Sequence, residues 1–111
     1  MKLYVAGPMT GLPEYNYPAF REAEDQLAAL GYAVLNPVNA EDHNPTPGTP
    51  QSWDWYMRHA LRMVLAADAL AVLPGWWRSK GALLEVQVAR ALDMQVEPVM
   101  EWRMRAGAGA S

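Results

Sequence analysis

Ala69-Leu70-Ala71-Val72-Leu73-Pro74-Gly75-Trp76-Trp77-Arg78-Ser79-Lys80-Gly81-Ala82-Leu83-Leu84-Glu85 is the stretch on which the fold turns. Its first five residues are short and wholly apolar, the mark of a buried strand. Pro74 and Gly75 end that strand, and Ser79 is a natural N-cap. The apolar-periodic run over 82–92 then predicts a helix, with Leu84, Val88, Ala91 and Leu92 facing the sheet and Ala82 and Val86 beside them. The first turn exposes backbone N–H groups, and Gly81 allows a ligand to come close. Glu85 lies inside the helix, beyond its first turn. A strand, a Ser/Gly turn and a helix start make a phosphate- or sugar-sized site. The same pattern also describes an ordinary strand–helix junction with a surface glutamate.

Upstream, Leu3-Tyr4-Val5-Ala6 is a second short apolar run, ended by Gly7-Pro8 and followed by the loop Gly7-Pro8-Met9-Thr10-Gly11-Leu12-Pro13. Its glycines and threonine offer donors to a ligand, and its prolines hold its shape. A plain turn is the simpler reading. Residues 17–30 predict a helix, with Pro18 in its first turn, Asn16 as cap, Phe20, Ala23, Leu27 and Leu30 as its apolar stripe and Gly31 as its stop. Tyr32-Ala33-Val34-Leu35-Asn36 reads as the next strand. A long loop over 37–51 follows, of a length that marks function or mobility, and carries the neighbours Asp42 and His43. Ser52 caps a helix that runs to about Ala66, with Tyr56, Ala60, Met63, Val64 and Ala67 as its expected apolar face. Trp53, Trp55 and Tyr56 cluster at its start, where aromatics suit either a stacked base or a packed loop. Residues 95–100 predict a short fourth strand, irregular or at an edge because of Pro98. The Ala/Gly-rich run over 103–111 reads as a disordered tail behind a single domain over 1–102.

Composition bounds the function. The chain of 111 residues is long enough for one domain with a modest core. A net charge of −3 without a basic run argues against a polymeric nucleic acid as partner. The absence of cysteine excludes disulfides and thiolate metal sites. The apolar run at the N-terminus is far too short for a signal peptide or a membrane span, so a cytoplasmic protein without membrane contact is expected. Five tryptophans and seven methionines are enough to line a pocket or a subunit interface.

Strands alternating with helices imply right-handed crossovers and a doubly wound, mainly parallel sheet. Ligands bind such sheets at the carboxyl ends of the strands. That rule gathers the loop 7–11, Asn36 with its loop, the start of the second helix and the segment from Ser79 to Glu85 at one edge, and leaves Asp68 at the other.

Tyr4-Val5-Ala6-Gly7-Pro8-Met9-Thr10-Gly11 and the run from Leu73 through Ser79-Lys80-Gly81-Ala82-Leu83-Leu84-Glu85 resemble an uncharacterised phage and bacterial family of the nucleoside 2-deoxyribosyltransferase-like superfamily. The resemblance implies a flavodoxin-like α/β fold of four or five strands with helices on both faces. It implies a helix glutamate, here Glu85, that attacks the anomeric carbon, as in the transferases and the deoxynucleoside 5′-monophosphate N-hydrolases. Ser79 and Gly81 match the phosphate-binding serine and glycine six and four residues before it. Tyr4, Gly7, Pro8, Met9, Thr10, Gly11 and Trp76 complete the expected substrate contacts. No cofactor and no metal is implied; a homodimer or larger homo-oligomer is. The family's partner aspartate, counted back from Asp68, falls on Ala60, so Asp54, or Asp42 with His43, is left to supply the proton. The arginine of the family's phosphate loop is also absent, leaving Arg78 or Lys80 to supply its charge.

The chemistry agrees. Cleaving an N-glycosidic bond puts positive charge on the sugar, which a carboxylate stabilises or bonds, while the leaving base takes a proton. The expected substrate is therefore a (deoxy)nucleoside or its 5′-monophosphate. The competing expectation is a nucleotide-binding module without catalysis, motivated by Ala60; a third is an oligomer whose tryptophans serve its interfaces.

Overall fold

A computed structural model of the chain describes residues 1–109. The element order is β1 (Lys2–Ala6), α1 (Tyr17–Ala28), β2 (Ala33–Leu35), α2 (Trp53–Ala66), β3 (Ala69–Val72), α3 (Lys80–Ala91), β4 (Gln95–Pro98) and α4 (Val99–Gly109). The four strands form one sheet in the order β2-β1-β3-β4. Every pairing is parallel, with Tyr4 opposite both Leu35 and Leu70.

The alternation within β1 sorts the helices onto two faces. Leu3 and Val5 point into a layer with Phe20, Leu27 and Trp102 of α1 and α4. Tyr4 and Ala6 point into the opposite layer, with Ala60 and Val64 of α2 and Val86 and Ala89 of α3. The chain steps from β1 to β2 in one direction and then back over β1 to β3. Right-handed connections therefore put α1 and α2 on opposite faces.

Three expectations change. The run over 103–111 is not a disordered tail up to Gly109: it continues α4. That helix is tied down by Trp102, whose ring is buried and whose Nε1 donates to Leu70 O at 2.9 Å. Tyr32 also donates to Trp102 O at 3.0 Å, and Arg105 bonds Glu101 one turn back at 3.3 Å. Residues 110–111 lie outside the described residues. Asn16 does not cap α1. It adopts φ +60°, at the end of three consecutive left-handed residues from Glu14, and its side chain donates instead to Pro8 O at 3.0 Å. The third change is the rotation of α3. Its buried row is Ala82, Glu85, Val86 and Ala89, whereas Leu92 is exposed. On α2 the buried row is Met57, Ala60 and Val64, with Tyr56 on the flank. The caps Ser52 and Ser79 are as expected, accepting from Trp55 N at 3.3 Å and Ala82 N at 3.2 Å.

Candidate active site

β1 and β3 end side by side, and their exit loops touch. Leu73 N donates to Ala6 O at 2.8 Å. A Cβ at Gly7 would lie 2.8 Å from Leu73 Cβ, so the close approach of the two loops requires glycine there. Gly75 takes φ +81°, with Pro8 against it. Gly7→Ala is therefore expected to push the β3 exit loop away and destabilise the fold by about 1–3 kcal/mol, read as a lowered denaturation midpoint; an unchanged midpoint would mean that Leu73 yields freely.

Beneath this junction Glu85 enters from α3. It is 5% exposed, and its Oε2 accepts a short hydrogen bond from the hydroxyl of Tyr4, which is fully buried. Burial pushes the Glu85 carboxyl up to about 7, while the Tyr4 hydrogen bond pulls the other way. Tyr4 is held well above the ordinary tyrosine range, chiefly by burial and then by the charge of Glu85, so it remains a donor. With Oε2 taken and no polar side-chain atom among the described residues both buried and unpartnered, Oε1 is the oxygen left to a ligand. A buried carboxylate with one partnered oxygen and a pKa near neutrality suits nucleophilic or acid–base work.

The other expected residues divide. Ser79 caps α3 directly before it, and the N–H groups of the first turn point out of the helix start. Gly81 has a packing reason of its own: a Cβ there would lie 3.1 Å from Met57 Sδ, so glycine lets α3 close on α2. Lys80 holds its Nζ 4.3 Å above the Trp53 ring. Met9 is partly buried against the α1 layer, while Thr10 and Gly11 are exposed at the loop tip. Trp76 packs against the α2/α3 layer with Arg90 over its ring. Asp54 is exposed and forms no side-chain hydrogen bond or ion pair among the described residues. Ala60 is buried in the layer that holds Tyr4. Among the described residues no group of three or more His, Asp or Glu converges on a metal position, and no helix is long and apolar enough to cross a membrane.

Sequence reasoning missed the order of the long loop. Pro37–His43 forms a short helix packed on β1, α1 and α2. The buried Asn44 then bonds Glu41 at 3.1 Å, Thr49 O at 3.0 Å and Gln51 at 2.9 Å. Tyr56 donates a short hydrogen bond to Glu41 Oε1 and accepts from Gln51 N at 3.2 Å. The density of Asn, Gln and Thr over 44–51 was the available signal. Asp42 and His43 are exposed; the His43 ring stacks on His59 at 5.9 Å.

The fold and the carboxyl-edge site define a flavodoxin-like α/β protein. The same fold occurs in the 2-deoxyribosyltransferase of the psychrotolerant bacterium Bacillus psychrosaccharolyticus, with a TM-score of 0.66 and 24% identity over 86% of this chain and 69% of that one. That enzyme is described as a biocatalyst for the synthesis of antiviral and antitumoral nucleosides. The chain belongs to the family described as a domain of unknown function, DUF4406, which matches residues 1–97. No functionally curated protein matches the chain.

Proposed function

We propose that the protein cleaves or transfers the N-glycosidic bond of a (deoxy)nucleoside or its 5′-monophosphate, with Glu85 as nucleophile. The observation that carries this reading is the buried Glu85, hydrogen-bonded by Tyr4 at the carboxyl edge of the sheet. The fold shared with a 2-deoxyribosyltransferase supports it. Oε1 attacks C1′, the glycosidic electron pair leaves with the base, and the base takes up a proton. A second base, or water, then releases the sugar from Glu85. Ser79 and the N–H groups of the first turn of α3 hold the 5′-phosphate, and that contact positions the sugar over the carboxylate. Gly7, Pro8, Met9, Thr10 and Gly11 close over the substrate, Trp76 borders it, and Asp54 delivers the proton. The working form is a cytoplasmic homo-oligomer acting on a small molecule.

A second reading rests on Ala60, buried where the resemblance calls for an acid: a nucleotide-binding module that does not turn its ligand over. One experiment separates the two. The protein is incubated with nucleosides and nucleoside monophosphates, with and without an acceptor base, and followed by chromatography. Free or exchanged base supports the enzyme. Thermal stabilisation by a nucleotide, without base release from any substrate, supports the binding module.

A further inference from the structure

The polar network of the long loop holds a carboxylate, Glu41, that the proposed reaction does not use. Glu41 is anchored at both oxygens: Oε1 accepts from Tyr56 of α2, and Oε2 accepts from the buried Asn44 at 3.1 Å. Asn44 is itself fixed by its bonds to Thr46, Thr49 and Gln51. These bonds hold the Glu41 carboxyl below the ordinary range, first through Tyr56 and then through Asn44, so it is an anion at neutral pH.

Its place in the fold is equally specific. The short helix that carries Glu41 packs on β1, α1 and α2, and β1 also carries Tyr4 and so Glu85. The short helix meets α1 on one face, while Tyr56, the hydrogen-bond partner of Glu41, comes from α2 on the other. A group that faces both sides of a sheet in this way lies over its edge. Two tyrosine–carboxylate pairs thus occur at the carboxyl edge, a buried one on β1 and α3 and an open one on the β2 side. Each carboxylate oxygen has two lone pairs, so an anchored Glu41 keeps acceptor capacity for a ligand.

We infer that Glu41 sets specificity at this site, accepting a hydrogen bond from an exocyclic amino group of the base, so that amino-bearing bases are preferred to their oxo counterparts. This rests on the proposed nucleoside chemistry for the identity of the ligand, but not on turnover. An oxo group in place of the amino group turns a lone pair toward the Glu41 anion, and sites built around a hydrogen-bonded group reject such analogues strongly.

The test uses matched pairs: 2′-deoxyadenosine against 2′-deoxyinosine, and 2′-deoxycytidine against 2′-deoxyuridine. Binding is measured by calorimetry on the Glu85→Ala protein, and base release on the wild type. The amino member of each pair is expected to bind about tenfold more tightly or better. Adding Glu41→Gln, which keeps an acceptor for Tyr56 but removes the charge and the acceptor for Asn44, is expected to abolish that ratio; circular dichroism checks that the fold is kept. Base release with no amino preference, or with a preference that survives Glu41→Gln, overturns the inference and leaves the proposed reaction standing. An amino preference in binding without any base release supports the inference and removes the reaction. If neither these nucleosides nor their 5′-monophosphates bind, both are overturned.

Discussion

Glu85→Gln is expected to stabilise the protein at pH 8 and to stop base release. The carboxyl has a pKa of about 7 in the fold against 4.5 as its ordinary value, because burial disfavours its charge. The folded state therefore binds the extra proton between these pH values, and stability falls as pH rises through them. The penalty is absent below about pH 4.5, grows up to about pH 7 and is complete above it. From the two pKa values it amounts to about 3 kcal/mol, at about 1.4 kcal/mol per unit. Glutamine keeps an acceptor for Tyr4 and carries no charge. Its melting temperature at pH 8 should exceed that of the wild type by roughly 10 °C, and the difference should vanish near pH 4.5. Base release should fall by about 10³-fold or more, as expected when a nucleophile is removed. Stability held down by a group that the proposed chemistry needs is the usual trade-off at active sites. A difference in melting temperature that is the same at pH 4.5 and pH 8 would show that Glu85 ionises in the fold without penalty.

Tyr4→Phe tests the other half of the pair and moves activity in the opposite pH direction. The Tyr4 hydroxyl lowers the Glu85 pKa against the effect of burial. Tyr4 itself stays protonated, because burial and the neighbouring charge hold its pKa far up. Without it, Glu85 loses its partner at Oε2 and is protonated over a wider range. The rising limb of kcat/KM against pH, centred near 7 in the wild type, should shift to higher pH. At neutral pH the loss should be roughly ten- to a hundredfold, the worth of a hydrogen bond to a charged group. Raising the pH should recover much of it. A loss of the same size at every pH would mean that Tyr4 acts by shape alone.

The pair was only partly legible beforehand. The two motifs that contain Tyr4 and Glu85 could be read as loop-and-helix segments meeting at one sheet edge, because strand–helix alternation and the handedness of crossovers dictate that much. What periodicity misplaced was the face of α3. Leu84, Val88 and Leu92 look like the core row, and with them inward Glu85 would sit at the edge of that face instead of in its middle. In the fold Ala82, Val86 and Ala89 pack on the sheet instead, and Glu85 turns in with them. Small side chains let the helix come close to β1 and β3, and the hydroxyl of Tyr4 provides the partner that a buried carboxylate needs. No propensity scale registers a partner 81 residues away.

α4 was misread for a related reason. Its Ala/Gly-rich end has weak helical preference by itself, but Trp102 docks against Leu70 and Tyr32 and fixes the helix from its first half. The long loop was read as a loop from its length, whereas Asn44 organises it through contacts that only the density of Asn, Gln and Thr over 44–51 signalled.

The sequence by itself determined the order of the elements through β4, the parallel sheet, the caps at Ser52 and Ser79 and the loops that gather at the carboxyl ends of the strands, because these depend on local apolar runs, turn chemistry and chain chirality. Only the tertiary structure decided which face of α3 is buried, that Gly7 is required by Leu73 while Gly81 packs closely on Met57, and that Glu41 is fixed between two helices. Those features depend on contacts between residues far apart in the chain, and such contacts exist only once the layers have packed.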